Sequence, residues 1–204
     1  MYLPKHFESP DPAMTLEVMR THNFATLTSV DAEGAPFVTH LPVLLTEEGD
    51  KVVLHFHLAK ANPHSAMLRE KRASMVAFLG PHAYMSPSVY ADLRRVPTWN
   101  YIAVHAYGEL TELETNDAKD GLLKSLIAIH EPAYADQWRA LDATYQDAMM
   151  GMICAFRMTV TKLQSKFKLN QHRSEARAEM VAKYGNGTPD EQALTSWLER
   201  IAPS

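Results

Sequence analysis

Cysteine occurs once in this 204-residue chain, so no internal disulfide can form. Cys154 lies in the apolar run MICAFRM, where a small buried hydrophobe suits the surroundings better than a nucleophile. A single thiol fits a reducing compartment, and the cytoplasm is the expected location. No stretch approaches the ~18 apolar residues of a membrane span, and MYLPKHFESPDP at the start lacks the apolar run of a secretion signal. Basic charge is also short. Lys and Arg number 20 against 24 Asp and Glu, a formal net charge of -4, which gives no electrostatic case for wrapping nucleic acid. Internal repeats, low-complexity tracts and flexible linkers are missing too, which argues against solenoids and tethered arrays.

What is present is enough apolar sequence for a real core: 46% hydrophobic residues with 22% charged. The first half reads as β-structure. HNFATLTSV (22–30), APFVTHLPVLL and KVVLHFHL are separated by the acidic-glycine turns DAEG and EEGD, the sign of an antiparallel meander. ANPHSAMLREK then reads as a helix with Asn62 as N-cap and Pro63 at its first position. A strand ASMVAFLG is expected to end at Gly80-Pro81, and 81–95 reads as an ordered loop, a place where function concentrates. VPTWNYIAVHAYGEL (96–110) follows as a strand. Helices are expected over 116–130 and 135–149, then one long strand, GMICAFRMTVTKLQSKFKL. TPDEQALTSWLERI carries a capping box, with Thr188 as N-cap, Pro189 first and Glu191 three residues on. These elements predict an α+β barrel-like domain over 1–170, with inserted helices at about 116–149 and a helical appendix over 171–204.

Period-two alternation assigns faces to the strands. In KVVLHFHL, Val52, Leu54, Phe56 and Leu58 form a core face, opposite Val53, His55 and His57. The second face is polar but uncharged. It suits a ligand or subunit interface, or a His-x-His site for a metal or haem. In the 96–110 strand, Trp99, Tyr101, Ala103, His105 and Tyr107 share one face, and neither face looks fully wet. A central strand, or a barrel wall covered by a partner subunit or a flat cofactor, would have that pattern. Lys166 and Lys168 fall on one face of the final strand, either as phosphate-binding cations or as a solvated edge.

The segments MYLPKHFE, HLAKANPH (57–64), GPHAYMSPSVY (80–90), VPTWNYIAVHAYG (96–108) and KFKLNQHRS (166–174) together resemble the PaiB family of FMN-binding negative transcriptional regulators. Order and spacing match over nearly the whole chain, and VPTWNY is the most specific piece. Two departures stand out: His64-Ser65 where the family usually has an aromatic, and Lys168-Leu169-Asn170-Gln171-His172-Arg173 where it typically reads Lys-Leu-Ser-Gln-Asn-Arg. The resemblance implies an antiparallel, Greek-key FMN-binding split β-barrel that forms a homodimer, with FMN in clefts between subunits. Trp99, Asn100 and Tyr101 would offer stacking area and amides to the flavin or the partner strand. His57, Lys60 and Asn62 would meet the ribityl chain or phosphate, and Lys166 and Lys168 are further phosphate candidates.

For direct DNA recognition, the best helix-turn-helix is RSEARAEMVAKY followed by TPDEQALTSWLER, but its second helix would lead with Asp190 and Glu191, which repel phosphates. The pair reads instead as a packing or dimer-clasping appendix. No distinctive catalytic acid and base is evident, although His57, Tyr101 and His105 could serve a flavin oxidoreductase. A haem-binding split barrel using the histidine inventory is the other alternative.

Overall fold

The structure, a computed structural model, describes residues 1–92 and 94–201. Leu93 of the expected 81–95 loop and residues 202–204 of the appendix lie outside the described residues. Seven strands, β1 (Phe24–Val30), β2 (Pro36–Pro42), β3 (Leu44–Glu48), β4 (Lys51–Ala59), β5 (Ser74–Met85), β6 (Thr98–Leu113) and β7 (Ile153–Lys168), form one sheet in the order β2-β1-β5-β6-β7-β4-β3. The strand pairs β1–β2, β1–β5, β3–β4 and β4–β7 are antiparallel. β2 and β3 are the two edge strands, yet only Val43 separates them in the chain, the connectivity of a barrel-like sheet.

Seven helices accompany the strands among the described residues: α1 (Pro12–Thr21), α2 (His64–Arg69), α3 (Asn116–His130), α4 (Tyr134–Ala140), α5 (Ala143–Gly151), α6 (Arg177–Gly185) and α7 (Pro189–Arg200). No helix among the described residues is long and apolar enough to cross a membrane. The chain divides into two compact units. The first comprises Met1–His22, Phe78–His105 and Gln164–Ser204, and the second Asn23–Ala77 and Ala106–Leu163.

In the second unit, β1 and β2 form a hairpin from Phe24↔Pro42 to Val30↔Pro36. The Asp31 carboxylate ties its turn by accepting from Glu33 N and Ala35 N, and Gly34 takes a φ of +86° that L residues rarely adopt. The expected single strand APFVTHLPVLL is two strands, because β2 ends its β1 register at Pro42 and Val43 turns its N–H to Asn23 O at 2.8 Å. In β4, Leu54, Phe56 and Leu58 are buried as the alternation requires, but at the start of the strand Val53 is buried and Val52, expected on the core face, is only half-buried. Phe56 stacks on Phe156 of β7 with ring centroids 6.1 Å apart. Cys154 is buried, and Arg69 Nη2 donates to its sulfur at 2.9 Å.

The helix expected over 135–149 is interrupted. Asp142 caps a new helix by accepting from Thr144 N and Tyr145 N, so α4 stops and α5 begins. The strand expected to end at Gly80-Pro81 instead runs on to Met85. β1 pairs with β5 only through Ala77, so the N–H that Pro81 lacks costs no bond to β1. Gly80 also leaves room for the Ile102 side chain, 3.2 Å from where a Cβ would stand.

In the first unit, α1 arises in residues to which the sequence reading gave no element. Asp11 accepts from Ala13 N at 2.8 Å and Pro12 occupies the first turn. The α7 capping box is present, with Thr188 Oγ1 accepting from Glu191 N and Glu191 Oε2 accepting from Thr188 N. Leu194, Trp197 and Leu198 of α7 are buried, and Trp197 meets Phe167 edge-on at 5.5 Å between centroids. Arg200 clamps Glu17 of α1 bidentately at 2.6 and 2.7 Å. The helical appendix is therefore a packing element of this unit.

His64, the departure next to Asn-Pro, lies at the centre of a directional hydrogen-bond chain in the second unit. Ser74 Oγ donates to Arg72 O, which leaves Ser29 to donate to Ser74 and to accept from His64 Nε2 at 2.7 Å. His64 Nδ1 then accepts from Thr39 Oγ1 at 2.8 Å, and Thr39 accepts from Asn62 Nδ2 at 3.2 Å. His64 is fully buried, and burial pushes its pKa down to about 4 from the ordinary 6.5. The unfolded chain therefore binds the proton first. The stability contributed by this neutral imidazole is complete above pH 6.5 and is lost as pH falls toward 4. His22, His55, His57, His105 and His172 are also depressed by burial and act in the same direction. Urea denaturation at pH 7.5 and 4.5 should show wild-type protein losing about 2–3 kcal/mol more than His64→Gln over that interval; equal losses would remove His64 as the origin.

Candidate functional site

Alternation along β6 builds the first unit's surfaces. Asn100, Ile102 and Val104 are fully buried, so Trp99 and Tyr101 face the other way. Trp99 is 47% exposed and lies against His82 and Tyr84, with centroids 5.9 and 6.3 Å away. The result is an outward aromatic cluster with ample stacking area. Tyr101 is half-buried and has Lys166 and Lys168 over its ring at 5.4 and 5.9 Å. The two lysines thus share a face, as their spacing requires.

Their surroundings differ. Lys166 is buried, donates to Tyr2 O at 3.0 Å, and is ringed by Tyr2 and Phe7 as well as Tyr101. It anchors the N-terminal segment, alongside the Glu8↔Lys166 bridge. Lys168 Nζ donates to Trp99 O at 2.7 Å and to Thr98 Oγ1. Burial first, and the charge of Lys166 second, hold the Lys168 pKa below the ordinary lysine range.

A cavity of about 410 Å³ lies beside the start of this strand. Its wall comes from His6 and Phe7, from the loop carrying Arg94, Arg95 and Val96, from Thr98 and Asn100, and from Lys168, Asn170, His172 and Arg173. Asn170 takes a φ of +60°, a left-handed conformation that asparagine tolerates better than most residues. That bend turns the chain after β7. The Asn170 amide lies on the Tyr90 hydroxyl, with Nδ2 donating at 2.8 Å and the phenol facing Oδ1 at 3.1 Å.

The second unit carries His57, Lys60 and Asn62. His57 is half-buried, its pKa is lowered by burial, and its Nδ1 is enclosed without a hydrogen-bond partner. Lys60 is exposed, and its backbone N–H donates to Met152 O at 2.8 Å. Asn62 spends its amide on the turn: Oδ1 accepts from His64 N at 3.0 Å while Nδ2 donates to Thr39. The regular helix starts one residue after the expected position, at His64, although Pro63 already has helical dihedrals. Its strand neighbour His55 is committed, with Nε2 3.0 Å from Thr46 Oγ1 and 3.9 Å from Glu48. Among the described residues no cluster of three or more His, Cys, Asp or Glu is placed to hold a metal ion.

The structure therefore brings Trp99, Asn100, Tyr101, Lys166 and Lys168 together in the first unit, and His57, Lys60 and Asn62 together in the second. Asn100 faces inward, away from Trp99 and Tyr101. Sequence reasoning passed over Arg95, Asn170 and His172 as site residues. The signals available were the irregular 81–95 loop and the departure at 168–173.

Comparison with known proteins places these features in context. Residues 1–162 match the family described as "Putative FMN-binding domain". The chain is 32% identical over 180 residues to the Bacillus subtilis protein named protease synthase and sporulation protein PAI 2, covering 86% of this chain and 84% of that one. Among solved structures, the FAD and haem binding protein from Mycobacterium smegmatis superposes with a TM-score of 0.60 at 17% identity, covering 79% of this chain and 73% of that one. The flavocytochrome Anf3 from Azotobacter vinelandii gives 0.60 at 14% identity, covering 81% and 72%. These two likenesses are of fold, and they agree with the split-barrel expectation.

The Asn170 bend yields a prediction. Asn170→Ala should cost about 1–2 kcal/mol, because it keeps a Cβ in the left-handed region and loses the Tyr90 contact. Asn170→Gly, relieved of the first cost, should lose less. The reverse order in thermal denaturation would show that the bend is unstrained.

Proposed function

This chain belongs to the FMN-binding domain family that matches residues 1–162, and from that premise we propose that it is a flavin-linked regulator or sensor acting as a homodimer. The observation that carries the reading is the end of β4, where the enclosed Nδ1 of His57 lacks a partner and an exposed Lys60 follows three residues later. An imidazole held neutral by burial can donate to, or accept from, a ribityl hydroxyl. Lys60 supplies the cation a phosphate monoester requires. Asn62 fixes the turn that presents both, through its bonds to Thr39 and His64. The residues present therefore suit FMN, which when bound supplies reversible electron transfer.

The Trp99–Tyr84–His82 cluster has a separate role. Its exposed aromatic area is suited to be covered by a flat ring or by a second copy of the chain. Lys168 and Asn100 belong to the cavity wall, and Lys166 to the anchoring of the N-terminus. A regulatory role follows the likeness to the Bacillus subtilis sporulation protein. It would run through a ligand rather than through DNA reading, since the net charge is -4 and α7 begins with Asp190 and Glu191.

Calorimetric titration of Lys60→Ala should show FMN affinity falling about tenfold while riboflavin affinity changes less than about threefold. Equal losses would place Lys60 away from the phosphate. For Trp99→Ala, sedimentation analysis and flavin titration should reveal a weaker dimer or weaker FMN binding; wild-type values of both would take Trp99 out of the site.

A further inference from the structure

Two residues of the first unit's cavity wall each carry a buried polar atom without a hydrogen-bond partner, and the two atoms are of opposite kinds. One is Asn100 Oδ1, an acceptor on a side chain that is 0% exposed. The surrounding bonds fix its orientation. Tyr184 Oη donates its proton to Tyr84 O at 3.2 Å, so it can only accept from Asn100, and it does so from Nδ2 at 3.1 Å. Burial pushes the Tyr184 pKa up to about 12, which keeps that proton in place. Nδ2 also faces Met180 Sδ at 3.2 Å. Both amide hydrogens are therefore directed at acceptors, and the carbonyl oxygen is the end left over.

The other is Arg95 Nε, a donor. The guanidinium is held over the Tyr90 ring at 5.1 Å, and its Nη2 lies 3.5 Å from Asp92 and 3.9 Å from Glu175. Those carboxylates are half exposed and offset part of its charge. Arg94, Lys168 and Arg173 join Arg95 in the wall, and no carboxylate lines the cavity among the described residues. His172 is kept toward its neutral form by burial, His6 and Arg173, so it adds hydrogen-bonding capacity rather than charge. A volume of about 410 Å³ is within the range of pockets that hold metabolites.

Four cations, an orphaned donor and an orphaned acceptor describe a ligand with two properties. It carries an oxyanion for Arg95 and its neighbours, and a hydroxyl or amino hydrogen for Asn100 Oδ1. We propose that this cavity binds a small organic anion of that kind, a hydroxylated carboxylate or phosphate ester, as a ligand separate from the flavin. In a flavin-linked regulator it would be the effector or the redox substrate.

The test is calorimetric titration of the full chain, with and without saturating FMN. Citrate and ribose 5-phosphate serve as probes. Each is paired with an analogue lacking hydroxyls, tricarballylate for the first and methyl phosphate for the second. Saturable binding of citrate or ribose 5-phosphate, at least about fivefold tighter than its partner, is expected, and which of the two binds identifies the oxyanion. Arg95→Gln and Arg173→Gln should each weaken that binding about tenfold while FMN affinity and thermal unfolding stay near wild type. Four results would overturn the proposal: no saturation by either probe below about 10 mM, equal affinity for the hydroxyl-free analogue, unchanged binding in Arg95→Gln, or displacement of the probe by FMN.

Discussion

Strict alternation along β6 is the constraint on which the first unit's chemistry depends. A strand with period two has no intermediate setting: once Ile102 and Val104 enter the core, Asn100 must enter with them, and Trp99 and Tyr101 must turn away. An asparagine carried into a core is costly unless bonded, and Met180 and Tyr184 of α6 meet that demand on the nitrogen side. The appendix helices thus do more than cover apolar surface. They fix the nitrogen end of an amide that belongs to the wall of a cationic cavity and whose oxygen has no partner.

The second unit solves a different problem of buried polarity. His64 is fully enclosed, and only a chain of serines, threonine and asparagine makes that tolerable. The order of donors and acceptors leaves one tautomer and no room for a second proton. The same bonds hold Asn62, so the turn that follows the polar end of β4 is rigid. His57 and Lys60 are presented from a braced strand end, a better platform for a ligand than a mobile loop.

Much of the fold was legible because its signals are local. The β1–β2 and β3–β4 hairpins, the helix over 116–130, the long final strand and the Thr188 capping box all follow from period, turn residues and caps within a few positions. The misplaced boundaries depend on distant partners. β5 can continue through Gly80-Pro81 because its pairing with β1 stops at Ala77, and 135–149 divides because Asp142 caps a new start. Most strand faces were readable, including the face that Trp99 shares with Tyr101 and the shared face of Lys166 and Lys168. The cavity was not, since its wall is assembled from residues near 6, 95, 100 and 170. No spacing rule joins them. The PaiB resemblance named the family correctly.

The proposed function stands or falls with a phosphate-reading flavin site in this chain. Its most direct test is titration of purified, ligand-free wild-type protein with FMN, riboflavin and haemin, followed by absorption and tryptophan fluorescence. Saturable FMN binding is expected, with riboflavin about tenfold weaker. Saturable haemin binding without any response to FMN would contradict it and move the chemistry to the strand histidines.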